Sequence, residues 1–263
     1  MTSGRLVRYA VQEGIALLEM NDPPANAYTH EMMRELDDAV LQARFDESVH
    51  VVVVTGGGGT FFSAGANIGM LSRVTPAFKY FFCLHANETL NRLEQTPKLV
   101  IAALNGHAVG GGLEVALAAD IRIARKDGGK IGLPEVGLGV LPGTGGTQRL
   151  ARLLGKARAL ELMATGRLFS FDEALAMGLV NHVYEGDDFR GRVMEYARQF
   201  LPPSKASKAV GAIKRAVQSG AEVSFHEGLA LERELQQQLF LSEDAKEGID
   251  ASERKRRPEF KGR

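Results

Sequence analysis

LVIAALNGHAVGGGLEVALAAD, residues 99–120, reads as a buried strand, a glycine run and an apolar helix. The strand is Leu99–Leu104, a short apolar run bounded by Pro97 before it and Asn105-Gly106 after it. The helix begins at Gly111 or Gly112 and continues through Leu113, Val115, Ala116, Leu117, Ala118 and Ala119. It is apolar nearly all round, so it belongs in the interior. Glu114, in its first turn, does not fit that interior. An ionised carboxylate buried without a partner is costly, so it needs a donor, a shifted pKa or a polar cavity. The glycines before it let a ligand approach bare backbone N–H groups at a helix start, where the dipole favours negative charge. The stretch therefore suits an oxyanion site beside a carboxylate. It equally suits a core helix whose early glutamate merely complements the dipole.

Working outward, the chain has 263 residues, enough for one large domain or for a domain with an extension. Lys plus Arg and Asp plus Glu number 32 each, so no overall charge points to a nucleic-acid-coating surface. The 30 glycines are clustered, which indicates turns and close backbone approach rather than a flexible linker. A single cysteine, Cys83, precludes a disulfide within the chain and fits a reducing compartment. Residues 1–14 lack the apolar core of a signal peptide, and no run of ~18 apolar residues occurs. The expectation is a cytoplasmic protein with no membrane partner.

In chain order, residues 5–20 predict a hairpin around Gly14, and residues 29–44 a helix with Thr29 as N-cap. Val51–Val54 is a buried strand, 77–95 a helix ended by Pro97, and Ile121–Ala124 another strand. A short segment, Lys130–Leu133, precedes Pro134-Glu135, and a second glycine cluster, Pro142–Thr147, leads into a helix from Gln148. Helices over 156–165 and 172–177 and a strand over Leu179–Tyr184 follow. From Asp188 three helical stretches are expected, 188–201, 204–219 and 224–257, with Ser204 and Ser224 as N-caps. The chain thus divides into a strand-and-helix part, 1–187, and a helical part, 188–263. Strand, glycine turn and helix recur around 51–95, 99–120 and 131–155, which implies mostly parallel pairing with helices outside. Sites in such folds gather where strand ends meet helix starts.

Familiar motifs fail. Gly56 and Gly58 are followed by Phe61 where a dinucleotide fingerprint needs its third glycine. No glycine cluster is followed by Lys-Ser or Lys-Thr, no G-x-S-x-G elbow occurs, and Ala230 stands where a zinc helix beginning His226-Glu227 needs its second histidine. Six scattered histidines and one cysteine give no metal cluster. What remains is a set of glycine-bearing turns with two glutamates: Ser63–Asn67, Gly110–Glu114, and Pro134-Glu135 followed by Pro142-Gly143. Glu135 alone reads as a solvated turn residue. As a pair, two carboxylates divide acid and base work when their surroundings separate their pKa values.

The set of motifs resembles the crotonase superfamily, and within it the enoyl-CoA hydratases. The matching residues are Asn26-Ala27, Ser63–Ala66, Ala102–Gly106, Gly110–Glu114, Pro134-Glu135 and Leu141–Arg149, with Gly166, Ala174, Gly178–Val180 and the ending Lys255–Arg257, Phe260 and Lys261. They run through essentially the whole chain. The resemblance implies an α/β fold of the ClpP/crotonase type: a superhelical core of repeated β-β-α turns with a helical C-terminal region that mediates a homotrimer or a homohexamer built as a dimer of trimers. It implies an acyl-CoA substrate, no metal and no further cofactor, and a hydro-lyase activity on 2-enoyl-CoA. Backbone N–H groups of Ala66 and Gly111 are expected to hold the thioester oxygen, Glu114 to activate water for attack at C3, and Glu135 to exchange the proton at C2. Gly143 is expected to position Glu135 or the water.

By the same resemblance, Ala25, Ala64, Asn67, Ile68 and Lys255 are expected at coenzyme A, Lys255 reaching a neighbouring subunit's ligand. Phe78, Phe81, Phe82, Leu113 and Leu133 are expected around the acyl group. Two positions depart from the family pattern: Asn67 replaces its aspartate and Gly69 its nearby lysine, and the loop Pro23–Asn26 lacks a lysine often found there. Alternatives within the superfamily are a double-bond isomerase or a dehydratase of branched or cyclic acyl-CoA, such as a methylglutaconyl-CoA hydratase. Outside it, the run Arg254–Arg257 admits an RNA-associated scaffold, for which four basic residues on a neutral chain are thin support; nucleic acid is not the expected partner.

Overall fold

The computed structural model describes residues 5–263; the first four residues of the stretch read above as lacking a signal peptide lie outside them. β1 (Val7–Gln12) and β2 (Ile15–Met20) form the expected antiparallel hairpin. α1 (His30–Phe45) follows, its Thr29 side chain accepting from the Met32 N–H. Three β-β-α turns come next. The first is β3 (Val51–Gly56), β4 (Phe61–Ser63), α2 (Ile68–Leu71) and α3 (Pro76–Gln95). The second is β5 (Leu99–Leu104), β6 (His107–Val109) and α4 (Gly111–Leu117). The third is β7 (Ile121–Arg125), β8 (Lys130–Gly132), a 3-10 turn at Glu135–Leu138, then α5 (Gly146–Leu154) and α6 (Lys156–Thr165). β9 (Phe169–Ser170), α7 (Phe171–Ala176) and β10 (His182–Tyr184) close the layered part, and α8 (Phe189–Arg198), α9 (Ser207–Gly220), α10 (Phe225–Phe240) and α11 (Glu243–Glu253) complete the chain.

Each β-β-α turn contributes one strand to each of two sheets. The larger has the order β1-β2-β3-β5-β7-β10 and the smaller β4-β6-β8-β9. Pairing is parallel except in β1–β2 and β8–β9. The continuous apolar runs 51–54 and 99–104 follow from burial of the large sheet on both faces. Val52, Val54, Val100, Ala102 and Leu104 enter the main core with α1, α3 and α4. Val51, Val53, Leu99, Ile101 and Ala103 point the other way, against Phe189, Val193, Met194 and Ala197 of α8. The C-terminal helical part therefore begins by covering a sheet face.

Three sequence-based boundaries shift. The helix expected over 224–257 is two, because Ser242 takes an extended conformation and caps α11 by accepting from the Ala245 N–H. Ser224 caps α10 as expected, but Ser204 caps nothing: α9 starts at Ser207. The strand expected from Leu179 starts at His182, since the N–H groups of Leu179 and Val180 bond Ala174 O at the end of α7. β4, β6 and β9 are too short to carry a legible two-residue period. Among the described residues, no helix is long and apolar enough to cross a membrane, and no group of three or more His, Cys, Asp or Glu could hold a metal ion.

Candidate active site

The small sheet explains why distant loops meet. Ala66 follows β4, Gly111 follows β6 and Glu135 follows β8, and these strands are parallel neighbours. The repeat delivers the same loop of each turn to the same end of the sheet.

The first two loops touch along their backbones. The Tyr28 N–H donates to Gly65 O at 2.9 Å and the Asn67 N–H to Tyr28 O at 3.0 Å, making an isolated parallel bridge between Tyr28 and Ala66. In a parallel bridge of this register the flanking residues bond the partner, so the Ala66 N–H faces away from Tyr28. Gly110 turns with φ +56°, a left-handed value that favours glycine, and Gly111 opens α4. A Cβ on Gly65 would lie 2.6 Å from the Gly111 nitrogen, and a Cβ on Gly111 would lie 2.0 Å from the Tyr28 hydroxyl oxygen. The buried Tyr28 side chain thus occupies the space that Gly111 leaves.

Glu114 is 2% exposed, one turn into α4. Its carboxylate is met by the second glycine cluster: Oε1 accepts from the N–H groups of Thr144 at 2.8 Å and Gly146 at 2.7 Å, and Oε2 accepts from the Thr144 hydroxyl. Glu135 stands on the 3-10 turn and is treated differently. Its Oε2 is buried with no hydrogen-bond partner. Burial pushes its carboxyl up to about 7, the Glu114 charge adds to the rise, and Lys79 opposes it. Its Oε1 lies 2.8 Å from where a Cβ on Gly110 would be, so the turn before α4 and the 3-10 turn are in contact. Burial raises the Tyr28 hydroxyl pKa steeply, and the charges of Glu114 and Glu135 act the same way. Tyr28, Glu114 and Glu135 therefore share one site.

The remaining expected residues separate into groups. Ala25, Ala64, Asn67 and Ile68 line up beside the Tyr28–Ala66 bridge: the Ala64 N–H donates to Ala25 O at 2.9 Å, the Asn67 side chain caps α2, and Ile68 is exposed. Lys255 stands exposed just past α11 with φ +54°. Leu113, Leu133 and Phe82 are buried in the main core, and Phe82 packs on Tyr28 at 6.0 Å between ring centroids. Phe78 stacks on Phe82 at 6.4 Å, one helical turn away. Phe81 leaves this group: it directly precedes the buried Phe82 on α3, so its side chain projects about 100° away from it, and it faces solvent edge-on to Tyr80. Gly143 lies beside Cys83, whose Sγ would be 3.2 Å from a Cβ there. Sequence reasoning missed Tyr28 and Thr144. The available signal was slight: Thr144 is a hydroxyl residue set between glycines in the turn after Pro142, and Tyr28 directly follows the Asn26-Ala27 motif.

A family pattern described as enoyl-CoA hydratase/isomerase matches residues 10–263. The chain belongs to that family. A probable enoyl-CoA hydratase of Bacillus subtilis (strain 168) is 39% identical, with 97% of this chain and 98% of the relative aligned. A short-chain-enoyl-CoA hydratase of Clostridium acetobutylicum is also 39% identical, over 95% of both chains. A crystal structure of the enoyl-CoA hydratase from Geobacillus kaustophilus HTA426 matches with a TM-score of 0.96 and 46% identity, covering 100% of this chain and 98% of that one. This enoyl-CoA hydratase/isomerase family member thus keeps the crotonase-type layering over its full described length.

Proposed function

We propose that this chain adds water reversibly across the C2=C3 bond of a 2-enoyl-CoA thioester. The observation that carries this reading is the unequal treatment of two carboxylates in one site. Glu114 accepts three hydrogen bonds, whereas Glu135 keeps a buried, unpaired oxygen and a carboxyl pushed up to about 7. A pair so divided supplies a base and an acid at neutral pH. The Ala66 and Gly111 N–H groups are assigned to the thioester oxygen. There they stabilise the enolate that forms as water attacks C3. The water oxygen bonds to C3 and its proton passes to Glu114. The alkene pair shifts into the enolate, and the Glu135 proton closes C2. Transfer of a proton from Glu114 back to Glu135 through solvent resets the site. The net change is addition of one water with no net oxidation, so carboxylates and amide donors suffice without a metal or redox cofactor.

The assigned neighbours follow. Ala25, Ala64, Asn67 and Ile68 flank the thioester ridge and are assigned to coenzyme A, with Lys255 reaching the ligand of a second copy; Phe78, Phe82, Leu113 and Leu133 are assigned to the acyl side, and Gly143 to placing the water. Exposed Ile213, Val217, Phe225, Phe240 and Leu241 on and beside α9 and α10 support self-association as a trimer or a dimer of trimers. A single cysteine suits a reducing cytoplasm.

The test is loss of the enoyl-thioester absorbance on a short 2-enoyl-CoA. Glu114→Gln and Glu135→Gln are each expected to lower kcat at least ~100-fold with KM near that of the parent. Near-parental hydration by either variant overturns the two-carboxylate reading, and double-bond migration without hydration identifies an isomerase.

A further inference from the structure

A hydroxyl chain runs behind the assigned base, and its contact between Tyr28 and Thr144 is used by nothing above. Glu114 is acceptor-only when ionised, so the Thr144 hydroxyl must spend its proton on Oε2. The Thr144 oxygen then has lone pairs to offer, and the fully buried Tyr28 hydroxyl lies 3.4 Å from it. The order is thus Tyr28 to Thr144 to Glu114, each donating to the next. A carboxylate has about four in-plane acceptor positions. Two on Oε1 are taken by the Thr144 and Gly146 N–H groups and one on Oε2 by the Thr144 hydroxyl. One is left, and it is on Oε2.

We propose that Thr144, oriented by Tyr28, is a positioning residue that leaves one oxygen of Glu114, Oε2, to take the proton of the attacking water. The inference rests on the assignment of Glu114 as base. Both backbone donors pin Oε1, so rotation of the carboxylate about its last bond would break two charge-assisted hydrogen bonds. The Thr144 side chain fixes the remaining oxygen from one side, and its bond to Tyr28 fixes the rotor that does so. The charged and titratable groups around this chain are Glu135 on the 3-10 turn, Lys79 facing Glu135 from α3, Cys83 facing Tyr28 from the same helix, and Arg149 of α5, which donates to Thr144 O at 3.4 Å and pairs with Glu94. None of these groups donates to Glu114 in place of Thr144.

The test is a double-mutant cycle in the hydration assay with intact protein. Thr144→Val, close in volume, is expected to lower kcat about tenfold to a hundredfold while KM changes by less than about threefold. Thr144→Ser, which keeps the hydroxyl, is expected to restore kcat to within about threefold of the parent. Tyr28→Phe is expected to lower kcat several-fold in the parent and to have no further effect when Thr144 is already valine. Additive effects of the two substitutions, or a Thr144→Ser enzyme as slow as Thr144→Val, overturn the proposal. Glu114→Gln separates it from the reading beneath. If Glu114→Gln abolishes hydration and Thr144→Val keeps a kcat within about threefold of the parent, only the positioning role fails. If Glu114→Gln hydrates normally, the base assignment itself is wrong.

Discussion

At the scale of single residues, the site is held by contacts that leave no room for side-chain atoms. The Gly111 Cα faces the Tyr28 hydroxyl so closely that Gly111→Ala would place a methyl 2.0 Å from it. Either Tyr28 or the start of α4 must move, so this variant is expected to lose hydration and several degrees of thermal stability. Gly137, on the 3-10 turn, has open space where a Cβ would stand, and Gly137→Ala is expected to melt within about a degree of the parent. Glu135 gives a second outcome at this scale. Its carboxyl is pushed above the unfolded value, so folding holds its proton more tightly than the unfolded chain does. Stability from this group is complete below the unfolded pKa and is lost as pH rises through about 7. Glu135→Gln is therefore expected to melt above the parent at pH 8 and with it at pH 4, a comparison that calorimetry makes directly. In the proposed mechanism hydration draws on the protonated form, so kcat/KM for hydration is expected to fall as pH rises through about 7. The two glutamates were legible in the sequence, because each sits beside its glycine or proline within a few residues. Tyr28 and Thr144 were not, since 116 positions separate them and only the completed fold makes them neighbours.

At the scale of elements, α4 is fixed at both ends by side chains from elsewhere. Past its C-terminus the buried Arg122 donates to Ala119 O at 2.8 Å and to Leu179 O at 2.7 Å, and burial lowers its pKa to about 10. Asp120, next to it, accepts from the Val100 N–H at 2.7 Å and pairs with Lys214 of α9 at 2.9 Å. Lys214 also donates to Lys98 O at 3.0 Å. This buried pair ties the first C-terminal helix beyond α8 to the strand that leads into the site. Removing one partner leaves a buried charge uncompensated, which costs about 3–5 kcal/mol. Lys214→Met is expected to lower the urea midpoint accordingly, and Lys214→Met with Asp120→Asn to recover part of the loss. At this scale the sequence announced the long strands and helices by period and apolar runs. It did not announce β4, β6 and β9, which are two or three residues long and get their pairing from neighbours rather than from propensity. The break between α10 and α11 also escaped, because Ser242 reads as an ordinary helix residue until it is seen capping the next helix.

At the scale of the molecule, the repeated β-β-α turn does two jobs. It builds a sheet buried on both faces, and it stacks the loops after β4, β6 and β8 into one site. The recurring glycine turns announced parallel strands with helices outside; the crotonase-type core was what the family resemblance implied, and the family match over residues 10–263 agrees with it. The exposed apolar residues of α9 and α10 are the molecule's outward-facing counterpart. With the proposed self-association, sedimentation velocity is expected to show a trimer or its dimer, and Phe240→Asp with Leu241→Asp to shift it to monomer; a monomeric parent contradicts that reading. The most direct test of the whole account uses the unmodified protein, a short-chain 2-enoyl-CoA and oxygen-18 water, with the product read by mass spectrometry. The account predicts a 3-hydroxyacyl-CoA carrying one labelled oxygen at C3. Unchanged substrate, or a shifted double bond with no label taken up, would contradict it.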